Sequence, residues 1–284
     1  MICKILTFNA AIQDIRFFGR SFYCPVGHIK ERITALAEKL LETGADVICL
    51  QEMFHRPLQD RLYNRIKHHY PYVCGFAAKG FKLRLGNELL IFSRFPLAGG
   101  NLIHFDTAVP EEIRYTSKGF FHTTVILEGH GNNIELINFH MTAGGVREHP
   151  ESEKMNDIRA RQIDQILNYA GPMDRIILAG DLNAGPHSSL QNYLQLGHAD
   201  YVDTFNLPGE EGYTWDPANP LVARGNEAHL PPQRIDHIFV HSRLHERTHV
   251  HNTEIVLNEI CIETETGNIP LSDHYGVLAS LQFE

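Results

Sequence analysis

The sequence predicts an α/β protein built on mixed β-sheets, and three observations carry that prediction. Two stretches repeat apolar residues at helical spacing, short apolar runs of strand length recur along the chain, and helix-rich connections early give way to hairpin-like strands late. Ile5-Leu6-Thr7-Phe8 is the first strand. Ile29, Ile33, Leu36, Ala37, Leu40 and Leu41 then form one face of a helix that stops at Gly44, a C-terminal glycine cap. Val47-Ile48-Cys49-Leu50 is the next strand, and runs at 73–77, 89–93, 120–127 and 134–139 read the same way. A second helix carries Ile163, Ile166, Leu167 and Ala170 until Gly171-Pro172 ends it. Runs at 175–180, 235–240, 254–257 and 275–281 complete the strands. Such an alternation points to mixed sheets, neither purely parallel nor all-β.

A chain of 284 residues, 43% hydrophobic, can bury a large core, and no linker, repeat or low-complexity tract divides it, so residues 1–284 are expected to form one domain. Five cysteines form no Cys-x-x-Cys pair, and Cys3 and Cys49 sit inside apolar runs, as small buried hydrophobes do in a reducing compartment. The N-terminus runs straight into the first strand and no apolar stretch reaches transmembrane length, so a cytoplasmic protein is expected, with signal-independent export the other route. Twenty-five basic residues against 34 acidic ones leave a formal charge of −9, which disfavours a general nucleic-acid binder.

The chemistry concentrates where apolar runs meet polar clusters. After Ile176-Ile177-Leu178-Ala179 comes Gly180-Asp181-Leu182-Asn183-Ala184-Gly185, and an Asp and an Asn two apart at a strand end point the same way. One can handle a proton or a metal-bound water while the other holds an oxyanion; an ordinary Asp-x-Asn turn has the same pattern. Four further runs end alike, in Asn9, in Gln51-Glu52, in His140, and in the closing Leu271-Ser272-Asp273-His274-Tyr275-Gly276-Val277. Each run is read as carrying its chemistry at its C-terminal end, which gathers a shared rim.

Taken in order, Asn9, Glu52, His140, Asp181 with Asn183, Arg234-Ile235-Asp236-His237 and Ser272-Asp273-His274 resemble the endonuclease/exonuclease/phosphatase superfamily, the fold of DNase I, apurinic endonucleases and neutral sphingomyelinases, over nearly the whole chain. The resemblance implies a four-layered α/β sandwich, two mixed sheets face to face with helices outside, and a divalent-metal phosphoesterase site at one edge. Glu52 offers the hard oxygen that suits Mg2+, or Mn2+, with Asn9 and Asp273 implied to flank the same ion. His274 is the general base, singled out from eighteen histidines by its Ser-Asp-His context, and Asp236 is implied to fix its tautomer. His140 resembles the second site histidine, donating to a phosphate oxygen, with Glu88 as its orienting carboxylate. Asp181 would position or protonate the leaving oxygen and Asn183 would bind phosphate. Four of these have a structural alternative: a helix-start acid at Glu52, a turn at Asn9, an ion pair between Asp236 and Arg234, and a solvent-facing strand start at Glu88.

Substrate class is read from the segments between these motifs. The inositol-polyphosphate 5-phosphatases carry a Trp-containing extension before the Gly-Asp-x-Asn element and a Cys-Asp-Arg motif, and neither is present here. Gly212-Tyr213-Thr214-Trp215-Asp216-Pro217-Ala218-Asn219-Pro220, followed by Gln233-Arg234-Ile235-Asp236, is similar to the neutral sphingomyelinase branch, with Trp215 a substrate contact or a packed turn. Ile12, Ile15, Phe17, Phe18, Phe22 and Tyr23, interleaved with Arg16 and Arg20, lie between the first strand and first helix, where exposed aromatics would suit a lipid interface and buried ones the core. Residues 141–153 depart from the sphingomyelinase pattern, which puts a choline headgroup in question. The expectation is a magnesium-dependent phosphodiesterase hydrolysing a phospholipid such as sphingomyelin, with peripheral membrane contact. The alternatives are a nuclease or small-molecule phosphatase of the superfamily and, from another class, a non-catalytic phosphate- or protein-binding module, for which losses at Glu52, Asp181 or His274 would speak.

Overall fold

The computed structural model describes residues 1–284 except 14, 18–19, 25, 78–87, 116–117, 128–132, 145–148, 206–211, 224–227 and 266; at 15–17, 20–23 and 114–115 it describes the backbone alone. Two six-stranded sheets form its centre. The first runs β13 (Thr248–Val256), β16 (Gly276–Phe283), β1 (Ile2–Ile12), β4 (Val47–Met53), β6 (Leu90–Ser93) and β5 (Tyr72–Cys74). The second runs β11 (Tyr201–Asp203), β12 (Asp236–His241), β10 (Ile176–Asp181), β9 (Ile134–His140), β8 (Gly119–Val125) and β7 (Leu97–His104). In each sheet one central pair is parallel, β1 with β4 and β9 with β10, and the other pairs are antiparallel. Two small hairpins are β2 (Ile15–Phe17) with β3 (Arg20–Tyr23), and β14 (Ile262–Thr264) with β15 (Gly267–Ile269).

Alternation along the strands builds four layers. In β10, Ile177 and Ala179 point into an apolar core with Ile5, Val47, Cys49, Val277 and Ala279 of the opposite sheet, while Ile176 and Leu178 point out. On the outer side of the first sheet, Leu6, Ile48 and Leu50 pack against α1 (Ile29–Glu42) and α2 (Arg56–Ile66). On the outer side of the second, α4 (Glu153–Ala170) and α5 (Leu190–His198) cover Ile176, Leu178, Phe139 and Phe239. The short helices α3 (Pro110–Tyr115) and α6 (Ser242–His245) sit in connections. This is the expected sandwich of two mixed sheets between helices.

Both predicted helices are present, and two of their neighbours are not legible as apolar stripes. α2 buries Gln59 with Leu62 and Ile66, and α5 buries Asn192 and Leu196, so too few apolar positions repeat to signal either. Between the sheets, Gln51 Nε2 donates to Thr7 Oγ1 at 3.0 Å and Asn138 Oδ1 at 2.7 Å, a polar bridge through the core directly below the strand ends. No helix among the described residues is long and apolar enough to cross a membrane.

Candidate active site

The register of the second sheet brings three predicted residues side by side. Asp181, the last residue of β10, pairs with His140 on β9 and with Asp236 on β12. Across the sandwich, β1 and β4 carry Asn9 and Glu52 near their C-terminal ends, and Asn9 Nδ2 donates to Asp181 Oδ2 at 2.9 Å, tying the two sheets together at the rim. One expectation is corrected: not every cluster lies at a C-terminal strand end. Asp236 opens β12, and Asp273-His274 precede β16, because these strands run antiparallel to their neighbours and enter at the edge where β1, β4, β9 and β10 leave.

His274 Nδ1 lies 2.9 Å from Asp236 Oδ2. Burial works against the charged imidazole, yet Asp236, with Asp181 and Asp273 beyond, carries its pKa well above the usual histidine range. Asp181, Asp236 and His274 each offer an atom within 4.8 Å of one another. Arg234 does not pair with Asp236; its guanidinium lies 3.8 Å from Asp203 and 4.7 Å above the Phe205 ring. Asp236 is therefore left to the histidine. The dyad is held from behind by the Trp215 segment: Thr214 Oγ1 accepts from the Ile235 and Asp236 amides at 3.0 and 3.1 Å, and Tyr275 N donates to Thr214 O at 2.7 Å.

Asp181 is fully engaged. Its Oδ1 accepts the Asn183 amide at 2.8 Å, and Asn183 Nδ2 donates to Met141 O at 3.1 Å. Burial would raise its pKa, but His140, His274 and Lys118 outweigh it and keep the carboxylate ionised. Asn183 has φ 51°, a left-handed conformation that Asn accepts more readily than most residues. His140 Nδ1 lies 3.1 Å from Glu88 Oε2, and Glu88 is 0% exposed, which is not a solvent-facing strand start. Lys118, just before β8, was not anticipated from sequence and reaches His140 Nε2 at 2.9 Å. Burial works to discharge it, but Glu112 and, further off, Glu88, Asp181 and Glu52 outweigh burial and hold the ammonium charged.

The residues implied to hold a cation fit one. Glu52, next to last in β4, has φ 58°, an uncommon conformation for a non-glycine residue and one that recurs at functional sites. Burial pushes its pKa up, and the carboxylates of Asp273 and Glu88 push it further against the opposing pull of His140 and Lys118. A hard divalent cation would relieve that repulsion, and the donors present are oxygens. Asn9 retains a turn role as well, its Oδ1 accepting Ala11 N at 3.1 Å across a bulge in β1. Gln13 Nε2 donates to Glu52 Oε2 and fixes the carboxylate from the other side.

Two buried arginines frame these groups. Arg32, on the apolar face of α1, donates to the carbonyls of Leu271 at 2.6 Å, Ala11 at 3.0 Å and Ala10, which joins the end of β1 to the Ser272 loop. Arg159, in α4, donates to Thr142 O at 3.1 Å, Pro150 O at 2.6 Å and Ser189 Oγ at 2.9 Å, so one guanidinium fixes the loops after His140 and after Asn183. Burial lowers the pKa of each to about 10, still charged near neutrality. His237 adds a third tie, its ring 3.0 Å from both Asp203 Oδ2 and Ala184 O.

The glycines that bracket Asp181 and Asn183 are required by close approach. A Cβ on Gly180 would lie 2.1 Å from Phe139 O, and one on Gly185 would lie 1.8 Å from Arg234 O. Neither carbonyl can withdraw without breaking the sheet or moving the Asn183 loop. Gly185→Ala is expected to lower stability by about 2 kcal/mol or more and to reduce turnover with it, as overpacking against backbone does. Urea unfolding checks the first part; an unchanged midpoint and turnover would show that the loop yields.

The residues expected to face substrate fare differently. Trp215 is 7% exposed and packs with Val222, Leu230 and Ile235, so its indole is core and its backbone, bridged to Gln233 and His274, supports the dyad. That corrects its reading as a substrate contact. Phe18 lies outside the described residues. Of Phe17 only the backbone is described, in β2 of the small hairpin that occupies the expected loop.

The comparisons with known proteins agree with this geometry. Residues 6–274 match the Endonuclease/Exonuclease/phosphatase family. The chain belongs to that family. It is thus an enzyme acting on phosphoric esters, a phosphodiesterase of the superfamily. It is 25% identical to a sphingomyelinase C of Listeria ivanovii over 275 residues, 88% of this chain and 77% of that one. Its fold is shared with a Staphylococcus aureus beta toxin mutant with bound magnesium ions, at TM-score 0.75 and 19% identity over 98% of this chain and 99% of that one. It is shared also with a D. rerio TDP2 complexed with a single-strand DNA product, at TM-score 0.71 and 17% identity over 99% of each chain.

Proposed function

We propose that the family member described here is a magnesium-dependent phosphodiesterase that hydrolyses a phospholipid by direct attack of water. The observation that carries the hydrolytic part is the His274–Asp236 pair, 2.9 Å apart and buried, set within 4.8 Å of Asp181 at the edge where Glu52 and Asp273 gather. Asp236 holds the Nδ1 proton of His274, which turns the other ring nitrogen toward the site as the proton acceptor for water. Asp181, kept ionised and bound by Asn9 and the Asn183 amide, faces the leaving-group side, and the remaining amide proton of Asn183 is free to reach a phosphate oxygen. Magnesium at Glu52, Asn9 and Asp273 would supply charge to the phosphoryl oxygens. Balancing those carboxylates also lowers the field that keeps His274 protonated, which its role as a base needs.

The lipid part rests on the similarity to sphingomyelinase C and on the formal charge of −9, which opposes a polyanion. The proposed cytoplasmic setting rests on Cys3 and Cys49, thiols buried in the core. A panel of sphingomyelin and lysophospholipid in vesicles, phosphoinositides, plasmid DNA and RNA, each with and without magnesium, tests the substrate class. Turnover of a choline phospholipid well above nicking of plasmid is the expected result. Plasmid nicking without lipid turnover would move the substrate to nucleic acid, the class bound in the TDP2 structure.

A further inference from the structure

Three acceptors surround the Lys118 ammonium: His140 Nε2 at 2.9 Å, Met141 O at 2.8 Å and Glu112 Oε1 at 3.1 Å. An ammonium has three protons and no lone pair, so these acceptors exhaust it and Nε2 is the accepting nitrogen of His140. The ring proton then sits on Nδ1, toward Glu88. In this state His140 cannot donate from Nε2 to a substrate oxygen. Yet Nε2 is the side of the ring that faces Asp181 Oδ2 at 3.5 Å and Glu52 Oε1 at 3.8 Å, which is where a reacting phosphoryl group has to enter.

That space is hostile to an anion. Glu52, Asp181, Asp236 and Asp273 gather round it, Glu88 adds its charge from behind the His140 ring, and Arg32, the buried cation below, gives its protons to backbone carbonyls. Lys118 is placed to answer this because its other two contacts hold it from behind. Glu112, its ionic anchor, accepts from Thr142 Oγ1 at 2.6 Å, and Thr142 Oγ1 in turn accepts from Gln162 Nε2 at 2.9 Å. The amine can therefore release one partner without losing its position.

We propose that Lys118 is the cationic ligand of the substrate's phosphate in this chain, exchanging its hydrogen bond to His140 Nε2 for one to a non-bridging phosphate oxygen while Glu112 and Met141 O keep it in place. The exchange replaces a neutral acceptor with an ionised one, which is the stronger bond. It rests on the reading of the site as a phosphoester site and is independent of whether the ester belongs to a lipid.

The test is calorimetric titration of inorganic phosphate into the magnesium-saturated protein, wild type against Lys118→Met and Lys118→Arg. Loss of one charged hydrogen bond is expected to weaken phosphate by about 10- to 100-fold in Lys118→Met. Lys118→Arg should recover to within about threefold, since it keeps the charge and a donor at that place. Lys118→Met would leave Glu112 buried without its cation, so the double variant Lys118→Met/Glu112→Gln is measured beside it to keep the fold. With bis(p-nitrophenyl) phosphate, the same factor should appear in kcat/KM. Phosphate affinity within about twofold of wild type in both Met variants overturns the proposal, as does a wild type that binds no phosphate at millimolar concentration. Phosphate binding that depends on Lys118 in a protein without lipid turnover leaves the proposal standing and removes the lipid reading.

Discussion

Replacing Asp236 with Asn, or His274 with Ala, is expected to lower turnover by about 100-fold or more while the protein stays folded, the scale of a general-base contribution. The physical reason is the 2.9 Å contact between His274 Nδ1 and Asp236 Oδ2. An asparagine there can present its NH2 to Nδ1 and reverse the tautomer, which leaves a proton on the nitrogen that should accept one. If the two residues act as one unit, the double variant loses little beyond the worse single variant. Strictly multiplicative losses would show independent action and end the dyad assignment. Circular dichroism and thermal melts guard the comparison, because Asp236 also anchors Thr214 through its amide.

Much of this fold could be read from the chain because its sheets are buried on both faces. Strands such as β10, with Ile177 and Ala179 toward one layer and Ile176 and Leu178 toward another, must be apolar throughout, and such runs are conspicuous. The site was legible in part for a topological reason. Parallel strands β1, β4, β9 and β10 expose their C-terminal ends at the rim, so Asn9, Glu52, His140 and Asp181 follow apolar runs. Antiparallel β8 enters there, and its register partner for Gly119 is His140, so Lys118 precedes its run and was passed over. Asp236 and Glu88 share that placement and were found only through the family resemblance.

The buried arginines were missed although each leaves a trace. Arg32 lies on the stripe of Ile29, Ile33 and Leu36, and Arg159 on that of Met155, Ile163 and Ile166; a charge on an apolar face has to find acceptors, and here these are the carbonyls of active-site loops. Trp215 misled in the other direction. Its neighbours resembled a substrate segment, but a large ring beside Pro and Asn in a turn is as readily a plug for the loop that carries Thr214.

Removal of magnesium is expected to abolish turnover, and Glu52→Gln to do the same even at saturating magnesium or manganese, since the buried carboxylate is the hard ligand that the ion would take. Stability gives a second readout with the opposite sign. Without the ion, Glu52 is strained by burial and by the charges of Asp273 and Glu88, so Glu52→Gln should melt about 2–4 °C above the metal-free wild type, the shift that roughly 1 kcal/mol produces in a domain approaching this size. Magnesium at about 100 times its Kd should stabilise the wild type by about 2.7 kcal/mol and the variant far less. A carboxylate retained for packing alone would show the reverse order of melting temperatures and an equal response to the ion. Full turnover after exhaustive treatment with EDTA would dispose of the metal altogether, and the phosphoryl group would then have to be held by Lys118 and Asn183 alone.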